Sequence, residues 1–375
     1  MESKVLLVKA DREPVKGVVS PNPNQIYKNT RISIEHRRLQ ELDPDEIRVE
    51  MLYIGICGTD VHLTTNDPET GYICCSAPLS IPEEGRNIGH EGVGRVIDVG
   101  SNIKFLQKGM YVTFESIIVC NVCDVCRKGK FNQCRNAKLL GLEKDGLLGT
   151  VVDVPAKLAH NVSEYIKTED DLIAATCIEP AGVAYVACEN AGITGGDIVV
   201  VFGAGPIGVF AAMLSKAVFG ASEVHVVETV KYRRDFAARW ADRVYSSEEF
   251  FSNCPEKIDA VIECSGNLDN IRKSFGHINA NGHVVLLARS GVPLEIINID
   301  YMITNEINIK GSRGHLCGAF SSILNLHRSG RINLGGVVTC VVDGLENLKN
   351  MLESNETIMK ENCKVVVDLK RDRDV

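Results

Sequence analysis

The feature that most constrains this chain is a set of four cysteines in one short stretch, Cys120, Cys123, Cys126 and Cys134. Their C-x2-C-x2-C-x7-C spacing lets four thiols converge on a single tetrahedral ion, and four thiolates fill every ligand position of Zn2+. Disulfides are the alternative, although cysteines three apart are awkward to bridge to each other. An iron–sulfur cluster fits less well, because ferredoxin-type runs close with x3 and a proline, whereas Arg135 follows here. The spacing therefore predicts a structural zinc.

The composition is that of a globular protein of about two domains, at roughly 150 residues per domain. The chain has 375 residues, of which 45% are hydrophobic and 24% charged, and its net charge of −8 argues against nucleic acid as a partner. The apolar run within Met1–Lys9 is too short for a signal peptide, and no apolar stretch of about 18 residues could span a membrane. We therefore expect a cytoplasmic protein whose fourteen cysteines are reduced, some of them bound to metal.

The pattern of apolar residues changes near Glu179 and divides the chain into two kinds of structure. Before this point, short β-type segments such as 50–56 and 92–100 predict a barrel or sandwich. From Glu179 to Gly192 the sequence predicts a helix. Beyond it, apolar strands alternate with helical runs, which predicts a doubly wound α/β sheet. The predicted strands are 198–202, 224–227, 258–264, 283–287 and, as an edge or late strand, 307–311; helices are predicted at 209–214 and 319–328, before a mixed C-terminal tail.

A glycine turn, Gly203-Ala204-Gly205-Pro206-Ile207-Gly208, lies between a predicted strand and a predicted helix. It fits the G-x-G-x-x-G fingerprint in the context that a dinucleotide site requires. The first glycine allows the tight turn, the second lets the backbone approach the pyrophosphate, and the third permits close packing of helix on strand. The helix N-terminus also attracts phosphate, so the turn predicts a bound dinucleotide.

The choice between the two nicotinamide dinucleotides depends on charged residues after the second strand. Glu228 stands where a carboxylate accepts hydrogen bonds from the adenosine ribose hydroxyls and repels a 2′-phosphate, which favours NAD. Arg233 and Arg234 keep NADP open, since either guanidinium could reach a phosphate.

A second group of metal-ligand residues stands in an ordered set of short motifs. These are Gly55-Ile56-Cys57-Gly58-Thr59-Asp60, Gly89-His90-Glu91-Gly92 and Glu179-Pro180. Together with the four cysteines and the glycine turn, they resemble the zinc-dependent medium-chain dehydrogenase/reductase family over nearly the whole chain. The resemblance implies a Rossmann doubly wound parallel sheet plus a GroES-like β-barrel catalytic domain. Glu179 stands where simple alcohol dehydrogenases of the family use cysteine, so the chain is similar to the polyol and sugar branch, with its sorbitol and glucose dehydrogenases.

The resemblance implies two zinc ions per chain and assigns ligands to the catalytic one. Cys57, His90 and Glu179 would bind it and leave a fourth position for water or alcohol. Glu91 would be a fourth ligand or would support the others from behind. Asp60 would orient a ligand or a loop.

The implied reaction is hydride transfer between NAD(P) and a polar secondary alcohol, namely a polyol, cyclitol, aminocyclitol or sugar. Zinc would lower the pKa of the substrate hydroxyl, Thr59 would take its proton, and His62 would pass the proton toward solvent. Two alternatives remain open. One is a threonine- or aliphatic-alcohol-type dehydrogenase of the same family, and the other is a catalytically silent nucleotide-binding relative, which the loss of a zinc ligand would signal.

The resemblance also divides the chain into domains. Residues 1–184 and 316–375 would form the catalytic domain, with the structural zinc lobe at about 115–140, and residues 185–315 would bind the dinucleotide. The long irregular segment 64–87 would border the substrate, as would 286–291 and 312–315. Within the first segment, Cys74-Cys75 is interpreted as part of an apolar loop, in preference to a redox pair or a metal site.

The predicted edge strand bears on the oligomeric state. Family relatives form dimers or tetramers, and in dimers the sheets of two cofactor domains meet edge to edge. Strand 307–311, with the apolar run 294–299 before it, would be an aggregation hazard if it were left exposed. Pairing with a twofold mate removes that hazard, so we predict a homodimer or homotetramer.

Overall fold

The computed structural model describes residues 1–255, 257–295, 298–354 and 356–373. Its strands are β1 (Glu2–Arg12), β2 (Tyr27–Arg38), β3 (Glu46–Ile56), β4 (Arg86–Asn87), β5 (Glu91–Val99), β6 (Tyr111–Phe114), β7 (Ile117–Ile118), β8 (Lys138–Leu139), β9 (Val151–Pro155), β10 (Ala159–Asn161), β11 (Ile198–Phe202), β12 (Glu223–Val227), β13 (Arg243–Tyr245), β14 (Ile258–Glu263), β15 (Ile278–Leu286), β16 (Asn308–Gly311), β17 (Val338–Asp343) and β18 (Lys364–Asp368). Its α-helices are α1 (Gly58–Thr64), α2 (Glu169–Ala175), α3 (Ile178–Asn190), α4 (Pro206–Ala217), α5 (Lys231–Ala237), α6 (Ser247–Ser252), α7 (Asp269–Ser274), α8 (Ile299–Thr304), α9 (Ala319–Arg328), α10 (Gly344–Ser354) and α11 (Glu356–Glu361).

The chain forms two compact units. The first unit contains Met1–Glu179, Leu334–Met359 and the chain from Lys364 onward, and the second contains Pro180–Asn333 and Lys360–Cys363. The sequence predicted boundaries after residues 184 and 315, whereas the two units divide after residues 179 and 333. Helix α9 belongs to the second unit, and its Phe320 packs on the ring of His315, with centroids 5.0 Å apart, and lies beside Gly182 of α3.

The first unit is built on a seven-stranded sheet in the order β10-β6-β5-β3-β18-β17, with β9 also paired to β3. A three-stranded sheet, β2-β1-β4, and a two-stranded sheet, β7-β8, complete its strands. Strand β3 alternates between buried and half-buried residues at first, and its second half, Leu52–Ile56, is wholly buried. This second half therefore leads the chain from the apolar core directly to Cys57.

The second unit is built on a six-stranded parallel sheet in the order β13-β12-β11-β14-β15-β16. Strand β11 is the run Ile198–Phe202 that the sequence predicted, and four of its five residues are buried. The strand order reverses between β11 and β14, and ligands of such sheets bind beside this point at the carboxyl ends of the strands. The turn after β11 therefore lies where a dinucleotide is expected.

Helices α2 and α3 precede the six-stranded sheet in the chain. Helix α2 begins at a capping box, in which Asp171 N donates to Thr168 Oγ1 at 3.3 Å and Thr168 N donates to Asp171 Oδ2 at 2.8 Å. Within the described ranges, no single helix has the length and apolar character needed to cross a bilayer, and only the bent pair α2 and α3 taken together meets that test.

Candidate active site and metal centres

The loop that carries Cys57 is fixed by a buried carboxylate. Cys57 lies between the end of β3 and the start of α1. Asp60, which is fully buried, accepts a hydrogen bond from Cys57 N at 2.9 Å with one oxygen and from Gly89 N at 3.1 Å with the other. This carboxylate therefore ties the Cys57 loop to the segment that carries His90 and Glu91, and orients both loops.

Three metal-ligand side chains converge beside this carboxylate. One ligand atom each from Cys57, His90 and Glu91 lies within 4.8 Å of the other two. His90 is buried, and its Nδ1 has no hydrogen-bond partner among the described residues, as suits a nitrogen that would bind a cation. Burial, and then the charge of Asp60, raise the pKa of the Cys57 thiol to about 11. A cation at this place would favour the thiolate, so the sulfur, nitrogen and oxygen donors fit zinc.

Glu179, the third ligand that the resemblance implies, is not one of the three members of this group. It stands in the first turn of α3, is buried, and accepts a hydrogen bond from Ser116 Oγ at 2.9 Å. Its charge adds to the burial and to the charge of Asp60, which raise the pKa of the Cys57 thiol. The structure therefore brings Cys57, His90 and Glu91 together, and it adds Ser116, a partner of Glu179 that belongs to no sequence motif.

Thr59 and His62, the predicted proton path, both belong to α1. Thr59 is half-buried in the first turn, next to Cys57 in the chain, and His62 is exposed in the last turn. Thr59 thus lies at the start of α1, next to the loop that carries Cys57, and the side chain of His62 is exposed to solvent at the end of the helix.

The four cysteines of the predicted lobe also converge. Cys120, Cys123, Cys126 and Cys134 offer sulfurs that all lie within 4.8 Å of one another, and every cysteine of the chain is unbridged. Backbone amides of Val122 and Cys123 lower the pKa of the Cys120 thiol to about 6, whereas burial raises the pKa of the Cys126 thiol to about 12. A bound cation would favour the thiolate form of all four. Four sulfurs in one cluster fit a structural zinc.

The glycine turn after β11 has the geometry that its motif predicts. Gly203 has a φ of 94°, which favours glycine, and a Cβ on Gly208 would collide with the Gly203 carbonyl oxygen. Among the described residues, no atom lies within 4 Å of the place that a Cβ on Gly205 would occupy, so the backbone there is open to a ligand. Helix α4 begins at Pro206, and Ile207 follows in its first turn. These features fit a dinucleotide pyrophosphate.

Glu228 follows β12 and faces the same turn. Its carboxylate accepts hydrogen bonds from Ala204 N at 2.7 Å and from Val230 N at 2.9 Å. The two nearby arginines donate to backbone carbonyls, Arg233 to Asn362 at 2.9 Å and Arg234 to Glu228 at 2.7 Å. Of these charged side chains, the Glu228 carboxylate is therefore the one that is held against the glycine turn.

Comparison with known proteins identifies the family. A family model described as "Alcohol dehydrogenase GroES-like domain" matches residues 43–164, and one described as "Zinc-binding dehydrogenase" matches residues 206–328. A protein of Aspergillus clavatus named "Probable D-xylulose reductase A" is 30% identical over 329 residues, which cover 84% of this chain and 87% of that protein. The chain belongs to the zinc-dependent medium-chain dehydrogenase/reductase family.

Solved structures agree with this assignment at the level of the fold. The 2R,3R-butanediol dehydrogenase of Bacillus subtilis superposes with a TM-score of 0.78 at 22% identity, covering 98% of this chain and 99% of that one. The L-idonate 5-dehydrogenase of Escherichia coli gives a TM-score of 0.77 at 19% identity, with coverage of 98% and 99%. The predicted family, the Rossmann and GroES-like fold class, and an NAD(P)-dependent, zinc-binding oxidoreductase are thereby confirmed.

A buried lysine outside every sequence motif contacts the metal-ligand group of this dehydrogenase. Lys364, at the start of β18, is fully buried, contacts Glu91 Oε2, and donates to Ile56 O at 3.0 Å. Burial lowers the pKa of Lys364 to about 8. A Cβ on Gly55 would lie 2.7 Å from Lys364 Cε and 2.8 Å from Glu91 Oε2, so the glycine of the first motif makes room for this ion pair.

Removing the lysine should leave a buried carboxylate without its partner. We expect Lys364→Met to lower the free energy of unfolding by about 3–5 kcal/mol, the usual cost of an uncompensated buried charge. The double variant Lys364→Met/Glu91→Gln should regain most of that loss. Lys108→Met is the control, because Lys108 pairs with Asp98 at 2.9 Å on the exposed surface, and such pairs contribute about 0–1 kcal/mol. Equal losses for Lys364→Met and Lys108→Met in denaturant unfolding would contradict this account.

Proposed function

We propose that this dehydrogenase transfers a hydride between NAD and a polar secondary alcohol of the polyol, cyclitol, aminocyclitol or sugar class, in the cytoplasm. The observation that carries the proposal is the convergence of Cys57, His90 and Glu91, whose ligand atoms lie within 4.8 Å of one another. The similarity to a protein named as a D-xylulose reductase supports a sugar or polyol as substrate.

The proposed mechanism gives each of the chain's own groups one task. Cys57, His90 and Glu179 would hold the catalytic zinc, Ser116 would orient the Glu179 carboxylate, and Lys364 would hold Glu91 behind the site. When bound, zinc supplies a Lewis acid that lowers the pKa of the substrate hydroxyl, and the nicotinamide accepts the hydride.

The proton of the substrate hydroxyl needs a route to solvent. Thr59 Oγ1 can accept it while donating its own, since a hydroxyl is both donor and acceptor. His62 is exposed on the last turn of α1, although partial burial of its ring lowers its pKa and favours the neutral imidazole. A neutral imidazole can accept the proton and pass it to water. Both residues act as proton carriers in this proposal.

A substrate screen tests the proposed function. Initial rates of NAD reduction should be measured for polyols, sugars, cyclitols, threonine and short aliphatic alcohols, with NAD and NADP in parallel. We expect the highest kcat/KM for a polyol, sugar or cyclitol. A higher value for threonine or a short alcohol would favour the other branch of the family. Zinc-loaded protein that turns over none of them would instead match a catalytically silent relative.

Glu228 is proposed to set the preference for NAD. Because its carboxylate lies against the glycine turn, it would repel the 2′-phosphate of NADP. We expect Glu228→Ser to raise the ratio of kcat/KM for NADP to that for NAD by about tenfold or more, equivalent to about 1.4 kcal/mol. Glu223→Gln is the control, since Glu223 lies at the other end of β12 and pairs with His225. A wild-type preference for NADP would count against the assignment.

The dehydrogenase is also proposed to be at least a dimer. Strand β16 pairs with β15 on one side, and no other strand of the described residues pairs with its other side. Its residues are largely exposed, so a second copy could extend the sheet. The apolar run 294–299 lies partly outside the described residues, because 296 and 297 are not among them. Light scattering should give at least twice the 41.0 kDa of the chain, and a monodisperse 41.0 kDa particle would overturn the proposal.

A further inference from the structure

We propose that the second unit carries an additional binding site for a planar aromatic anion, distinct from the dinucleotide site. The site is a cleft of about 390 Å3 formed by the C-terminal end of α4, the turn after α5 and the turn after α9. The argument uses six of its residues, Met213, Lys216, Arg239, Trp240, Arg331 and Ile332. Its volume falls in the range of about 300–1,000 Å3 that small-molecule sites occupy.

The cleft lies at the opposite end of the sheet from the glycine turn. Helix α4 begins beside that turn and ends at the cleft, and twelve residues of α-helix span about 18 Å. Asp242, which also lines the cleft, directly precedes β13, at the amino end of a parallel strand. The dinucleotide site lies at the carboxyl ends of the strands. A single ligand therefore cannot bind the glycine turn and place its ring in this cleft at the same time.

The charges of the cleft favour an anion. Lys216 is neutralised by Asp242, whose two oxygens both lie 2.7 Å from its Nζ. The guanidinium groups of Arg239 and Arg331 contact no carboxylate of the described residues, and this leaves an excess of two positive charges in a chain whose net charge is −8. A guanidinium presents a planar fork of donors that matches a carboxylate or a phosphate.

The uncharged residues of the cleft favour a ring. Trp240 lines it and is held from behind by the buried Phe236, with ring centroids 5.3 Å apart. Arg239 lies over the same Phe236 ring at 4.6 Å, which sets its guanidinium beside the indole. Met213 and Ile332 also line the cleft, where both are buried and expose little apolar surface of their own. The indole would stack on the flat ring of a ligand, and the two guanidiniums that line the cleft would pair with the ligand's anionic group. An aromatic carboxylate and a nucleoside phosphate both have these two features.

The single tryptophan of the chain makes the test direct. Zinc-loaded protein should be titrated with adenosine monophosphate, with benzoate and with inorganic phosphate, while the fluorescence of Trp240 is followed. We expect a saturable change with at least one ring-bearing anion, and an apparent Kd at least about tenfold higher in Arg331→Gln and Arg239→Gln, since a lost charge-assisted pair is worth about 1.4 kcal/mol or more. Arg243→Gln is the control, because Arg243 neighbours the cleft in sequence but does not line it.

The variants also separate the two sites and the two kinds of ligand. A change that survives Glu228→Ser but is weakened by Arg331→Gln belongs to the cleft, and saturation by benzoate or by adenosine monophosphate identifies the carboxylate or the phosphate as the anionic group. The proposal is overturned if no ring-bearing anion gives a saturable change. It is also overturned if inorganic phosphate binds as tightly as they do, or if Glu228→Ser, and not the arginine variants, raises the Kd. No turnover is measured, so the outcome is independent of the substrate screen.

Discussion

A Cys57→Ala variant should hold one zinc ion per chain where the wild type holds two, and it should lose at least about 10³-fold in turnover. The thiolate is the only sulfur ligand proposed for the catalytic metal, and loss of the Lewis acid removes several kcal/mol of stabilisation from the developing negative charge, at about 1.4 kcal/mol per factor of ten. Elemental analysis and initial rates of NAD reduction on the same preparation measure both effects.

The matched control for this variant is Cys340→Ala. Cys340 lies in β17, is half-buried, and belongs to neither metal-ligand group of the described residues. It should retain two zinc ions and wild-type turnover. Full turnover by Cys57→Ala, or equal losses in the two variants, would contradict the role given to Cys57.

The second large effect is expected in the four-cysteine lobe. Cys123→Ala should remove the other zinc and leave the catalytic one in place, because the two groups have no ligand in common. Structural zinc contributes several kcal/mol to folding, so Tm should fall by about 10 °C. Calorimetry together with elemental analysis measures the change.

Cys74→Ala, which alters an exposed cysteine outside the lobe, should leave Tm and zinc content unchanged. Unchanged values in Cys123→Ala as well would rule out a structural metal there.

The regular structure was predicted best where burial made the pattern continuous. Strand β11 and helix α9 have the bounds that the sequence predicted, because an uninterrupted apolar strand and a helix with one apolar face are distinctive. Strand β13 was missed, since its three residues carry no apolar run. The C-terminal tail was expected to be mixed, and its β18 completes the sheet of the first unit beside β3, a pairing between distant parts of the chain that local pattern cannot indicate.

Some residues of the candidate site could be predicted from the sequence, and others could not. Cys57, His90, Glu179 and the four lobe cysteines stand in motifs whose local spacing signals metal binding. Lys364 lies 273 positions from Glu91 in the chain and is the first residue of an apolar strand. The residues near it in the sequence do not indicate a buried charge pair. Ser116 likewise meets Glu179 only through the fold. Motif reasoning therefore finds candidate ligands, whereas the groups that hold those ligands in place depend on tertiary contacts.

The most direct test of the account is to measure zinc content and turnover together on wild-type protein. We predict about two zinc ions per chain, and NAD-dependent oxidation of a polar secondary alcohol that is lost when a chelator removes the catalytic ion and returns when zinc is restored. Protein that holds no metal and still turns over at the full rate would contradict the zinc-dependent mechanism.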